Sequence, residues 1–315
     1  MKVTKIIKNA THPLFSYEIM PPLRGGNAKD IFKLIEKLMP YHPPYIDLTS
    51  RSAEIEYYNT PSGKFERYVR RKRPGTIGLS AAIKNRFNVE TVPHILCNGF
   101  TREETEDALI ELNYLGILNV LAVRGDDLRR NVDTRNKTIN RFAKDLVNQI
   151  HEMNKGKYLE DLLDANSTNF CIGVGGYPEK HFEAPDLVTD LKYLKEKVDA
   201  GADYIVTQMF YDNKAYFEFV EKARAMGIDI PIIPGLKIFT MKKHLSVIPK
   251  NFFVQIPEKL VQLIEDAKTD VEVKRIGLKW AQDQTKELYE ANVPCIHFYI
   301  MQSADQVVNV VREFV

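Results

Sequence analysis

Glu18 stands in Phe15-Ser16-Tyr17-Glu18-Ile19-Met20-Pro21-Pro22, an otherwise apolar run closed by two prolines. A carboxylate in that setting is costly unless paired or neutral, and loss of water raises its pKa toward the range in which a general acid works. A surface glutamate on an edge strand is the competing interpretation, and a closed sheet has no edge to offer it. Arg124-Gly125-Asp126 ends a second apolar run. Its glycine permits close backbone approach, and Arg and Asp carry the donors and acceptors to grip a phosphate and a heterocycle's N–H. A turn with a surface ion pair accounts for the triplet equally well. His94 follows Pro93 inside an apolar run. With no second His or Cys at zinc spacing, metal is rejected and a satisfied core histidine is the bland alternative. Gln208, between Thr207 and Met209, reads as a buried amide that needs partners in the core or on a ligand. Gly173, Gly175 and Gly176 lack the third glycine of a dinucleotide loop and precede Tyr177-Pro178 rather than a helix, so they read as strand-end glycines. Thr49, Tyr177, His181 and Tyr299 complete the polar residues at or just beyond the ends of apolar runs.

Those runs are the elements that must position the chemistry. They lie at 14–20, 44–49, 91–97, 118–125, 170–177, 204–211, 231–235 and 295–301, giving eight expected strands. Helical patterns fill the intervals. Thr101 with Glu104 forms a capping box, and the stripe Ala108, Leu112, Leu115 stops at Gly116. Leu187, Leu191, Leu194 and Val198 hold one face up to Gly201. The segment 76–88 is ambiguous by itself and is assigned as helix because the alternation needs one there; 269–292 reads as a long last helix. Strand–helix alternation along the whole chain predicts a parallel sheet covered on both faces, and eight repeats predict a single-domain (β/α)₈ barrel over residues 1–315. Polar stretches near 50–75, 126–140 and 154–168 are expected to be loop insertions. In such a barrel the active site lies at the C-terminal ends of the strands.

Composition narrows the classes further. The 44 basic and 42 acidic residues leave a formal charge of +2, so nothing demands nucleic acid. The dense basic run from Arg67 to Arg73 reads as a solvated loop or helix face. Cys97, Cys171 and Cys295 are far apart and each sits in an apolar run, which predicts reduced core thiols and a cytoplasmic location. No apolar stretch is long enough for a signal sequence or a membrane span. Small-molecule substrates and a homo-oligomer are expected.

The stretches FSYEIMPP, TVPHILC, NVLAVRGD, GGYPEKHFEAPDLVTDLKYLKEKVDAGADYIVTQMFYD, IPIIPGL and IHFY together resemble the methylenetetrahydrofolate reductases, in their bacterial barrel-only form. The resemblance implies FAD held at the barrel mouth without a Rossmann motif, reduced by NADH or NADPH. A ping-pong hydride transfer then converts 5,10-methylenetetrahydrofolate to 5-methyltetrahydrofolate. It makes Glu18 the general acid that helps open the folate's five-membered ring, and Asp126 the carboxylate beside the flavin's pyrimidine edge. Thr49, His94, Arg124, Gly125, Phe142, Ala143, Tyr177, His181, Ala184, Asp190 and Lys197 match flavin-contact positions. Gln208, His244 and Tyr299 match the substrate side. Phe142 stands where a Tyr is common, and His244 replaces a folate-contact Gln. Thr49-Ser50-Arg51-Ser52 departs from the usual pattern, as does Ser303 in place of an Arg associated with the folate. Arg51, Lys237 and Lys242 are the cations expected to compensate for that Arg. A paralogous flavoprotein with a different hydride acceptor is the alternative.

Overall fold

The structure is a computed structural model that describes every residue except 71, 72, 74, 126–137 and 302, with backbone alone at 54 and 55. Its strands are β1 (Leu14–Ile19), β2 (Tyr45–Leu48), β3 (Glu54–Asn59), β4 (Phe65–Arg70), β5 (Glu90–Leu96), β6 (Asn119–Val123), β7 (Cys171–Gly176), β8 (Tyr204–Met209), β9 (Ile232–Leu236) and β10 (Cys295–Met301). Its α-helices are α1 (Val3–Asn9), α2 (Ala28–Leu38), α3 (Ile77–Phe87), α4 (Arg102–Tyr114), α5 (Ala143–Met153) and α6 (Leu187–Asp199). They continue with α7 (Asn213–Ala225), α8 (His244–Phe252), α9 (Glu258–Asp266), α10 (Asp270–Glu290) and α11 (Asp305–Val311).

Eight parallel strands close into a barrel in the order β1-β10-β9-β8-β7-β6-β5-β2, which is the expected (β/α)₈ architecture. The expected strands are all present, and the ambiguous segment is helical as α3. Local signals explain the helix ends. The Thr101 hydroxyl accepts from the Glu104 amide at 3.1 Å while the Glu104 carboxylate accepts from the Thr101 amide at 2.8 Å. Gly116, at φ +65°, takes the left-handed position just beyond α4 that a side chain resists. Ile31, Leu34, Ile35 and Leu38 form the buried stripe of α2, each contributing roughly 1.5–3 kcal/mol by leaving water.

The barrel interior has two chemically different layers. Tyr45, Val92, Leu121, Cys171, Tyr204, Val206, Ile233 and Cys295 fill the lower one, and Val3 and Ile7 of α1 pack against it from below. The Val3 amide donates to Asn119 at the start of β6, which fixes α1 at the N-terminal end of the strands. Gly173 leaves room for the Tyr204 ring, since a Cβ there would lie 2.4 Å from it. All three cysteines are buried and unpaired, as expected. Above this layer the inward positions turn polar.

One expectation fails at 50–75, which contains an antiparallel hairpin of β3 and β4 rather than a loop. Its Thr60-Pro61-Ser62-Gly63 turn is closed by the Gly63 amide donating to the Thr60 carbonyl at 2.8 Å. Tyr57, Tyr58, Phe65, Tyr68 and Val69 favour strand but are all exposed. With both faces wet, no apolar–polar alternation marks the segment. The basic run therefore begins on an exposed strand, not a loop or helix face.

Candidate active site

Period-two alternation aims Glu18 inward from β1, where it lies in register with Asp47 of β2 and Tyr299 of β10. Thr49, just past β2, donates its hydroxyl to Glu18 Oε1 at 2.7 Å. His94 of β5 places Nε2 3.6 Å from Glu18 Oε2 and 3.7 Å from Asp47 Oδ2. His297 of β10 brings its own Nε2 to 3.9 Å from the same Glu18 oxygen, and its Nδ1 shares a 2.9 Å hydrogen bond with Ser16. Two carboxyls and two imidazoles thus meet in one buried layer.

The electrostatics correct the sequence expectation for Glu18. Burial does push its carboxyl up, but the His94 charge, the His297 ring and the Thr49 hydroxyl outweigh it and hold the group at about 2. Burial pushes His94 down, yet Glu18 and Asp47 more than reverse this and raise it above an ordinary imidazole. Each group of the pair thus favours the other's charged form. Tyr299 donates its hydroxyl to the Thr207 carbonyl at 2.6 Å; burial and the nearby Glu18 and Asp47 keep it a phenol. Gly235 makes this possible, because a Cβ there would fall 2.2 Å from that carbonyl and 2.7 Å from the Tyr299 ring.

A second group gathers beyond β6 and β7. Asp190 on α6 accepts from the His181 amide at 2.9 Å, and burial holds its carboxyl above the usual range. Lys197 donates to the Gly175 carbonyl at 2.5 Å, and burial lowers its ammonium to about 8. Arg124 forms a two-pronged ion pair with Glu183 at 2.7 and 2.8 Å. Tyr177 meets His181 edge-on, and Lys180 donates to the Ala184 carbonyl at 2.8 Å. Gly125, at φ +82°, turns the chain after β6. Phe142 is exposed at the N-cap of α5 and Ala143 opens that helix, which Lys144 ties to Glu196 of α6 at 2.7 Å.

The remaining expectations divide. Gln208 is half-buried rather than buried, and its side-chain Oε1 accepts from the Met209 amide at 3.0 Å. His244 packs edge-on against Phe239; burial, Lys237 and Lys243 lower it to about 4. Lys237 reaches the Tyr299 carbonyl at 3.4 Å and faces Glu18. Lys242 is spent elsewhere, donating to the carbonyls of Glu265 and Ala267. Arg51 and Arg73 line a cleft of about 300 Å³ that reaches His94. Asp126 lies outside the described residues. Sequence reasoning missed Asp47 and His297. The signal was available: Tyr45, Asp47 and Thr49 share one strand face, as do Cys295, His297 and Tyr299, so each carries a polar residue in the same inward register that marked Glu18.

The methylenetetrahydrofolate reductase family model matches residues 2–314. The chain belongs to this family. It is 30% identical to methylenetetrahydrofolate reductase 1 of Schizosaccharomyces pombe, over 94% of this chain and 46% of that protein. It is 28% identical to 5,10-methylenetetrahydrofolate reductase of Escherichia coli, over 92% of this chain and 86% of that one. The chain thus spans about half the length of the fungal and plant reductases it matches. A solved structure of a Clostridium thermocellum protein, described as binding two copies of 5-methyl-5,6,7,8-tetrahydrofolic acid, superposes with a TM-score of 0.57 at 12% identity. That likeness covers 98% of this chain and 96% of the other and speaks to the barrel fold alone. Among the described residues no helix is long and apolar enough to cross a membrane.

Proposed function

We propose that this member of the family reduces 5,10-methylenetetrahydrofolate to 5-methyltetrahydrofolate, with FAD as resident cofactor and NADH or NADPH as reductant. The observation that carries the reading is Glu18: a buried carboxylate at the strand ends, oriented by Thr49 and set against the His94 imidazole. Opening the folate's five-membered ring needs a proton on the departing nitrogen as its C–N bond breaks, leaving an iminium at the one-carbon unit. Glu18 would deliver that proton. Tyr299 and Gln208, on the same mouth, would bound the substrate.

The residues beyond β6 and β7 fit a flavin nucleotide. Lys197 is a cation held where water is scarce, and Arg124, Lys180 and His181 stand around it, a donor set suited to a diphosphate. Arg124 would exchange Glu183 for phosphate, while Asp190 anchors the His181 loop. When bound, the flavin supplies two-electron storage between nicotinamide and folate.

The test is a split of the two half-reactions on purified protein. A yellow chromophore should bleach with NADH or NADPH and return on addition of methylenetetrahydrofolate. Reduction without reoxidation would instead favour a flavoprotein with another hydride acceptor.

A further inference from the structure

We propose that the proton Glu18 delivers is stored on His94, and that Asp47 is the positioning residue that keeps it there; this rests on the folate-reducing reading above. Asp47 is fully buried, and neither of its carboxyl oxygens has a hydrogen-bond partner among the described residues. A carboxyl in that position is expensive unless a cation faces it. The facing group is His94, whose Nε2 lies 3.7 Å from Asp47 and 3.6 Å from Glu18 and is itself without a hydrogen bond. One N–H therefore stands between two carboxyls, and a shift of under an ångström closes a hydrogen bond to either; such contacts commonly tighten when substrate binds.

The rest of the surroundings agree. Thr49, His297, Tyr299 and Lys237 face Glu18 from β2, from β10 and from the segment after β9. Because these partners and His94 hold Glu18 as a carboxylate, it has no proton of its own to give at neutral pH. In the transfer, the His94 N–H bond breaks as an O–H forms on Glu18 Oε2. That O–H then breaks as an N–H forms on the departing folate nitrogen. His94, left neutral, regains a proton from water at the barrel mouth.

The experiment follows the folate half-reaction of the flavin-loaded enzyme from about pH 6 to 9, for wild type and Asp47→Asn. Removing the Asp47 charge makes the imidazolium easier to lose, so the variant should be slower by about tenfold at the alkaline end and under about threefold at the acid end. Reduction by nicotinamide should be unchanged. Placed on Glu18→Gln, Asp47→Asn should cost nothing further, because both act on one proton. Nitrogen-15 NMR of the ligand-free wild type should show His94 as imidazolium at neutral pH. A pH-independent loss, an additional loss on top of Glu18→Gln, or a neutral His94 overturns the proposal. Should Asp47→Asn not fold, the wild-type NMR titration decides. A wild type whose reduced flavin ignores folate overturns the reading of function itself, without any variant, and takes this inference with it.

Discussion

Glu18 and Asp190 are equally buried, each 8% exposed, and both stand at the same end of the barrel, yet their carboxyls shift in opposite directions. Burial raises both. Glu18 has two imidazole rings and a hydroxyl aimed at it, and these reverse the effect. Asp190 has a backbone amide and an ammonium that is itself weakened by burial, and these do not. Desolvation sets the stakes at a buried acid, while the immediate partners decide its charge. On the proposed function, one half of the mouth would handle a proton and the other an anion.

The largest expected effect separates the halves outright. Glu18→Gln keeps the shape and removes the acid, so folate reduction should fall at least on the order of a hundredfold while flavin reduction by nicotinamide hardly changes. Equal losses in rapid-mixing measurements of both half-reactions would show that Glu18 has no special role in proton delivery. Next, Thr49→Val removes one of the partners that distinguish Glu18 from Asp190. A hydrogen bond to a charged group is worth about 1.5–3 kcal/mol, so a loss of about tenfold or more in the folate step is expected. Lys197→Met tests the anion half: flavin affinity should weaken by about tenfold, read by fluorescence titration, with no selective loss of the folate step. The flavin-free variant should melt slightly higher than wild type, because a group lowered to about 8 opposes folding at neutral pH.

The smallest effects are on stability against pH, and their signs differ. Glu18 is depressed from 4.5 to about 2, so its contribution is present above pH 4.5 and is lost as pH falls toward 2. Glu18→Gln should flatten that part of the acid unfolding curve. Asp190 is raised, so its carboxylate opposes folding at neutral pH and the penalty fades as pH falls. Asp190→Asn should therefore melt higher than wild type at pH 7 in the flavin-free protein and lose that advantage in acid. Identical acid profiles for the two variants in calorimetry would erase the distinction between the two carboxyls.

The barrel was legible because each strand is buried on both faces and reads as an apolar run, and because caps such as Thr101–Glu104 mark helix starts. The hairpin at β3 and β4 was not, since a strand wet on both sides leaves no periodic trace. Glu18 was conspicuous as a charge inside an apolar run, but its charge state was not readable, because His94 and His297 reach it from strands 76 and 279 residues away. Arg51 and Lys242 looked equivalent as loop cations; only the fold shows Lys242 bound to the carbonyls ending α9.

The helix α1 has a consequence for traffic rather than for strength. With Val3 and Ile7 seated on the lower layer of tyrosines and aliphatic side chains, α1 covers the N-terminal end of the barrel. Protons, water and reactants would then share the mouth at the opposite end. A substrate lying across it would cut the buried cluster off from bulk solvent until product leaves. Each turnover would then run on the one proton loaded before closure, and solvent isotope would enter the product only between cycles.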